Sequence, residues 1–181
     1  APSPLKRAPR KAPARCAVPV HREPAGALSA RYTMPDHERA VVDAALTILG
    51  GYLRQPGAAV HTPCAVKKYL RLQLANERRE LFGVLFIDIK NRVIAFEVMF
   101  VGTHSQTSIY PREVAMAAMR HDAAAVVLVH NHPSGSVEPS RADQLLTQTL
   151  KQALALVDVR VVDHIIVGSD GVLSMAEQGM M

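Results

Sequence analysis

Two histidines and an aspartate are spaced so that they could bind one metal ion. His130 and His132 are separated by a single residue, and Asp143 follows them. Residues i and i+2 at the end of a strand point to the same side, so both imidazoles can converge, and Pro133 and Gly135 can bend the chain back toward Asp143. Three protein ligands leave a fourth tetrahedral position for water, as in a catalytic zinc site. The spacing therefore predicts Zn²⁺ bound by His130, His132 and Asp143.

Ser140 gives Asp143 a second interpretation. The pattern Ser140-x-x-Asp143 resembles a capping box, with the serine at the N-cap and the aspartate at N3 of a helix. Taken alone, that pattern favours the cap, and the two histidines could be ordinary loop residues. The coincidence of all these residues in one short segment favours the metal site. Ser140 could still cap the helix while its hydroxyl faces a metal-bound water.

A zinc hydrolase also needs a general base, and Glu97 is the candidate. It lies in the middle of the apolar segment 94–100, where a buried carboxylate would be costly unless it had a partner or a function. The same pattern also fits a glutamate that faces outward from a half-exposed strand. Because the segment alternates poorly, the sequence does not assign the face of the strand that Glu97 occupies.

The remaining histidines rank lower as site residues. His104 follows Gly102 and Thr103 in a predicted loop, where it could line a cleft, although an exposed position is favoured. His164 follows Asp163 within a predicted strand, and a structural role is preferred for this pair over a role behind the metal ligands. The other histidines outside the basic tail are predicted to lie at the surface: His37, His61 and His121.

Two other classes of metal enzyme share parts of this pattern. The triplet His130-Asn131-His132 has the letters of the HNH nuclease motif, but in that motif the residues are scattered over a ββα unit. Zinc-dependent deaminases need a Pro-Cys-x-x-Cys segment, and neither Cys16 nor Cys64 lies near the histidines. Both classes are therefore discounted.

Alternating helices and strands are predicted to position these residues, which is typical of an α/β domain with a mixed sheet. Hydrophobic periodicity and capping signals predict the elements, with a hairpin turn at Lys90-Asn91 and a loop over 130–139. The predicted helices are Asp36–Leu53, Pro63–Leu74, Pro111–His121 and Ser140–Val157, and the predicted strands are Leu81–Ile89, Arg92–Val101, Ala124–Val129, Arg160–Val167 and Val172–Ser174.

The spacing of the candidate ligands resembles a known motif. His130-x-His132, seven residues, Ser140, two residues and Asp143 match the JAMM (MPN+) metalloprotease motif. A longer set of segments resembles the RadC family over roughly residues 60–181. These segments are Glu97 to Thr103, Tyr110-Pro111-Arg112-Glu113-Val114, His130-Asn131-His132-Pro133-Ser134-Gly135, Glu138-Pro139-Ser140 and Asp163-His164-Ile165-Ile166-Val167-Gly168.

The resemblance implies a JAMM/MPN fold related to the cytidine deaminases, with a mixed sheet flanked by helices and zinc at its rim. It implies that His130, His132 and Asp143 bind the zinc ion, that Glu97 activates the water and that Ser140 assists the oxyanion. JAMM relatives cleave isopeptide bonds to ubiquitin-like proteins, so a protein or peptide conjugate is the implied substrate.

One departure from the RadC pattern bears on function. Many RadC proteins carry an N-terminal helix-hairpin-helix element that binds DNA, but residues 36–54 predict one helix only. A DNA-repair or DNA-processing accessory protein, in which the metal site is not a peptidase, therefore stays open as the alternative. A metal-stabilised scaffold is disfavoured, because a scaffold needs no base.

The charge of the chain is concentrated at its N-terminus. The first 31 residues contain seven basic and one acidic residue, a net +6, which leaves −1 on the other 150 residues. Such a segment fits a disordered tail that could contact nucleic acid weakly. We divide the chain into a disordered basic tail (1–32), a helical lead-in (33–60) and a RadC-like domain (61–181).

Cysteine content and hydropathy bear on the compartment. Two distant cysteines form no disulfide framework, which favours a reducing, cytoplasmic compartment. The chain has no run of 18 apolar residues, so no membrane span is expected.

Overall fold

The computed structural model describes residues 34–54, 63–75, 77–102 and 108–181. Within them four helices alternate with strands, as predicted. The helices are α1 (Asp36–Arg54), α2 (Pro63–Leu74), α3 (Pro111–Arg120) and α4 (Arg141–Ala155), and the strands are β1 (Leu81–Ile87), β2 (Val93–Val101), β3 (Ala125–Asn131), β4 (Arg160–Val167) and β5 (Val172–Ser174).

The strands form one mixed sheet in the order β2-β1-β3-β4-β5. Strands β3 and β4 are parallel, and the other neighbours are antiparallel. The parallel pair needs a crossover connection, which helix α4 provides. The predicted fold class, an α/β domain with a mixed sheet flanked by helices, is therefore confirmed.

Helices cover both faces of the sheet. Helices α1 and α2 pack on one face against Leu85 and Val127, and α3 and α4 pack on the other face against Val84 and Leu128. Every residue of β1 and β3 is buried, because a central strand that is covered on both faces needs a continuous apolar run. This burial makes β3 a rigid support for the residues at its end.

Three predicted boundaries differ from the structure by two residues, and the other differences are of one residue. Strand β3 continues through His130 to Asn131, so the predicted loop begins later. Asn131 is held there because its Oδ1 accepts the N–H of Leu81 at 2.8 Å. Strand β1 ends at Ile87, because the Asp88 side chain accepts backbone N–H groups of the following turn. Helix α4 ends at Ala155, two residues earlier than predicted.

Several predictions lie outside the described residues. They concern the disordered tail over residues 1–32, His61, His104 and Cys16. The described part of the chain holds no helix that is both long and apolar enough to cross a bilayer.

Candidate metal site

The side chains of His130, His132 and Asp143 converge at the end of β3. Nε2 of His130 lies 2.9 Å from Nε2 of His132 and 3.3 Å from Oδ1 of Asp143. Nε2 of His132 lies 3.6 Å from Oδ2 of Asp143. Among the described residues this is the one group of three or more His, Cys, Asp or Glu side chains that could hold a metal ion.

The fold supports each part of this group. His130 lies in the buried strand β3, where it pairs with Phe82 of β1 and Ile166 of β4. His132 leaves the strand but remains attached to the sheet, because its N–H donates to the carbonyl of Val167 at 2.9 Å. Asp143 lies in the first turn of α4, so the crossover helix brings the carboxylate back to the strand end.

The Ser140 cap and the metal site use the same carboxylate. The Ser140 hydroxyl accepts the N–H of Asp143, and the Asp143 side chain accepts the N–H of Ser140, so the predicted capping box is present. Oδ2 of Asp143 accepts the Ser140 N–H at 2.7 Å and the Ser140 hydroxyl at 2.6 Å. Oδ1 makes no hydrogen bond with Ser140 and lies 3.3 Å from Nε2 of His130. The two interpretations of Ser140 and Asp143 are therefore compatible.

Each histidine has a protein partner on the side away from the group. Nδ1 of His132 lies 3.0 Å from the carbonyl oxygen of Ser136; a carbonyl only accepts, so this Nδ1 carries the proton. Nδ1 of His130 lies 2.8 Å from Nε2 of His164. His164 is thus in direct contact with a candidate ligand, which corrects the preference for a purely structural role.

Burial and hydrogen bonding set the charges of the group. Burial lowers the pKa of His130 to about 4 and that of His164 to about 3, so both rings are neutral near pH 7. The hydrogen bond with Asp143 raises the pKa of His132 above its ordinary value, although burial opposes it. Burial alone would raise the pKa of Asp143, but hydrogen bonds with His132 and Ser140 hold it well below its usual range.

The donor set fits zinc. Two imidazole nitrogens and one carboxylate oxygen are common zinc ligands. At bond lengths of about 2.0–2.1 Å, two ligands of a tetrahedral ion lie about 3.3 Å apart. Here the two imidazole nitrogens lie 2.9 Å apart, Oδ1 of Asp143 lies 3.3 Å from His130 and Oδ2 lies 3.6 Å from His132, so these atoms lie near the required distances.

Two glycines fix the loop that follows His132. Gly135 has a φ of 92°, which side chains with a Cβ rarely adopt. A Cβ on Gly168 would lie 2.1 Å from the carbonyl oxygen of Gly135, so only a glycine allows the loop to pack on the turn after β4. This contact holds Ser136, whose carbonyl accepts from His132.

Glu97 is not brought to this group. Its Oε1 lies 2.7 Å from Nε2 of His121, and its Oε2 accepts from Nη2 of Arg120 at 2.8 Å. Both partners are at the end of α3. The prediction that His121 lies at the surface is wrong, because its side chain is 8% exposed and its ring packs on Phe86 with centroids 4.5 Å apart. His37, in contrast, is exposed as predicted.

Glu80 is a second acidic residue to consider, and the sequence analysis did not single it out. It directly precedes β1, and its carbonyl accepts the N–H of Gly102 at 2.7 Å. Its negative charge contributes to the raised pKa of His132, whereas Glu97 is not among the causes of that shift. The signal in the sequence is an acidic residue at the start of a continuous apolar strand. That signal becomes informative only once β1 is known to pair with β3.

Comparisons with known proteins identify the family of this chain. Residues 60–180 match the RadC-like JAB domain, which is about two thirds of the chain. The chain therefore belongs to the RadC-like JAB domain family.

Curated bacterial relatives support this assignment. The chain is 59% identical over 142 residues to a UPF0758 protein of Verminephrobacter eiseniae, which covers 78% of this chain and 60% of the relative. It is 64% identical over 120 residues to a UPF0758 protein of Acidovorax ebreus, which covers 66% of this chain and 50% of the relative. The chain thus spans between half and two thirds of the relatives that it matches.

Proposed function

We propose that the chain is a zinc-dependent hydrolase that cleaves an amide bond, either peptide or isopeptide, with water. The convergence of His130, His132 and Asp143 carries this proposal. His130 is almost fully buried, whereas the side chains of His132 and Asp143 are 18% and 13% exposed. The ligand set is therefore closed on the protein side and accessible on the opposite side, where a catalytic zinc ion needs a free position.

The chemistry divides between the metal ion and the protein. Zinc bound by these three residues would lower the pKa of a water toward about 7 and polarise a substrate carbonyl. A carboxylate of the protein then accepts the proton of the water and delivers it to the leaving amine. That proton transfer is what distinguishes a hydrolase site from a structural metal site.

We assign the base to Glu80 rather than to Glu97. Glu80 carries a charge that contributes to the raised pKa of His132, and it directly precedes β1, which pairs with the strand of His130. The carboxylate of Glu97 is occupied at both oxygens by His121 and Arg120. Glu97 would have to release both partners before it could accept a proton elsewhere.

Ser140 acts first through Asp143. Its hydroxyl donates to Oδ2 of Asp143 at 2.6 Å, which orients the carboxylate toward the histidines. The oxyanion contact that the family resemblance implies would require this hydroxyl to change partner during the reaction. We therefore infer that Ser140 holds the ligand in the resting site and can turn to the oxyanion only during turnover.

The substrate follows from the same chemistry. We propose a protein or peptide conjugate, since a metal-activated water and a carboxylate base suit the hydrolysis of an unactivated amide. The test is a panel of linear peptides, isopeptide-linked conjugates and DNA oligonucleotides, incubated with zinc-loaded and metal-depleted protein.

The expected result is zinc-dependent release of an amine from at least one amide substrate. His132→Ala should abolish it, and His37→Ala serves as the matched control because His37 lies on the exposed face of α1. Cleavage of DNA alone, or turnover that persists in His132→Ala, would contradict the proposal.

A further inference from the structure

We propose that Thr147 and His164 are positioning residues that fix the tautomer of His130, so that its Nε2 offers a lone pair to the metal. The inference rests on the proposed metal site, but it concerns groups behind that site. Its basis is a chain of three hydrogen bonds in the interior, each of which has only one allowed direction.

The chain of hydrogen bonds begins at a backbone carbonyl group. Oγ1 of Thr147 lies 2.6 Å from the carbonyl oxygen of Asp143 and 2.6 Å from Nδ1 of His164. A carbonyl oxygen only accepts, so the single hydroxyl proton of Thr147 is donated there. The sulfur of Met175, at 3.8 Å, is a much weaker acceptor. Thr147 must therefore accept from His164, and Nδ1 of His164 carries a proton.

The protonation of His164 then determines which nitrogen of His130 carries a proton. A neutral imidazole has one N–H and one lone pair, so Nε2 of His164 accepts. Its partner is Nδ1 of His130 at 2.8 Å, which must donate. The remaining nitrogen of His130, Nε2, is left with a lone pair, and it is the atom that faces His132 and Asp143.

The surroundings prevent the donors and acceptors in this chain of hydrogen bonds from exchanging roles. Thr147 and His164 are fully buried, and His130 is 1% exposed, so bulk water does not supply a substitute donor or acceptor. The ring of Phe82 packs edge-on against His164, with centroids 5.9 Å apart, which holds the plane of the imidazole. The two ends of the chain are the side chain of one candidate ligand and the backbone of another.

Removal of the threonine hydroxyl would reverse the roles of donor and acceptor between His164 and His130. In Thr147→Val, Nδ1 of His164 loses its acceptor, and a proton on Nε2 becomes the better hydrogen-bonded state. His164 then donates to Nδ1 of His130, which places the proton of His130 on Nε2. That proton occupies the lone pair that would bind the metal. Zinc binding would therefore require the proton to leave Nε2 as well as the solvent to leave the site.

The experiment compares wild type, Thr147→Val and Thr147→Ser. Nitrogen NMR of the histidine rings in metal-free protein should show Nδ1 protonated in both His130 and His164 of the wild type. Thr147→Val should move the proton of His130 to Nε2 and weaken zinc binding by roughly 10–100-fold. Thr147→Ser keeps the hydroxyl and should restore both the tautomer and the affinity, which a packing defect would not explain.

The outcomes separate this inference from the proposed function. An Nε2-protonated His130 in the wild type, or a Thr147→Val variant with unchanged tautomer and affinity, would overturn the inference. The wild-type spectrum decides it even if Thr147→Val does not fold. The ring tautomers are read without metal, so a wild type that shows the expected tautomers but hydrolyses no amide would count against the proposed function alone.

Discussion

His121 holds the carboxylate of Glu97, with Nε2 and Oε1 2.7 Å apart. The two residues join the edge strand β2 to the end of α3, and Arg120 binds the second carboxylate oxygen. The glutamate in the middle of β2 therefore has a complete set of protein partners within the fold. Its burial is explained by these contacts, so it need not be explained by catalysis.

Exchange of Glu80 and Glu97 for glutamine tests which carboxylate is the base. Glu80→Gln should lower kcat by roughly 10²–10⁴-fold and keep zinc, because glutamine preserves the shape but cannot accept the proton. Glu97→Gln is the matched control. It should keep most of the activity and lower the melting temperature, because it weakens the contacts with His121 and Arg120.

Activity and metal content are measured on the same preparations. If Glu97→Gln loses activity while Glu80→Gln retains it, the base is Glu97, as the family resemblance implies, and the site must rearrange before turnover.

Substitution of Ser140 tests the dual use of the Asp143 carboxylate. Ser140→Ala removes the cap and should lower the free energy of unfolding by about 0.5–2 kcal/mol. It also frees Oδ2 of Asp143 from the serine hydroxyl, so zinc affinity should fall by roughly 10-fold or more. Ser140→Thr keeps the hydroxyl and should recover most of both. A variant Ser140→Ala that is less stable but binds zinc as tightly as wild type would show that Ser140 is only a cap.

The pH dependence of zinc affinity follows from the different pKa values of the three candidate ligands. The pKa of His130 is lowered to about 4 and that of Asp143 is lowered too, whereas that of His132 is raised. As the pH falls through the raised pKa, His132 becomes protonated first, and zinc must displace one proton. Affinity should therefore fall about tenfold per pH unit, with one proton released per zinc ion.

Competition titrations at several pH values, with calorimetry in buffers of different ionisation enthalpy, measure both quantities. Release of two protons over the same interval would contradict the assignment of a neutral His130.

Deletion of the N-terminal segment tests whether that segment accounts for any affinity of the chain for nucleic acid. The first 31 residues carry a net +6 and the other 150 carry −1, so any DNA affinity should reside in that segment and weaken steeply with salt. A chain of residues 32–181 should lose most of the binding. Fluorescence anisotropy with a labelled duplex at increasing salt provides the measurement, and sequence-specific binding by residues 32–181 would contradict it.

Local signals were sufficient to predict the convergence of the candidate ligands and most of the elements. The capping pattern Ser140-x-x-Asp143 and the pair His130 and His132 lie in one short segment, so their geometry depends on a strand end, a turn and a helix start. These features are encoded by neighbouring residues. The resulting prediction of one site at the end of β3 agrees with the convergence of the three side chains.

Relationships between distant strands were not predictable in the same way. Strand β1 lies between β2 and β3, and this order places Glu80, which directly precedes β1, on the side of the sheet where its charge acts on His132. The contact of His164 with His130 depends on the parallel pairing of β3 with β4. The exposure of His121, at the end of α3, was misjudged because its side chain is covered by Phe86 of β1 and Glu97 of β2. Such contacts are set by the topology of the sheet, which a single sequence does not encode locally.

The partners of the three ligand side chains bear on metal selectivity. Each ligand is oriented before any ion arrives: His130 by His164, His132 by the Ser136 carbonyl and Asp143 by Ser140. Such preorganisation favours ions that accept few ligands at short distances. Calcium takes six to eight oxygen ligands at about 2.3–2.6 Å, and magnesium requires octahedral oxygen coordination. Two fixed imidazoles meet neither demand, so we expect the proposed zinc site to discriminate against calcium and magnesium.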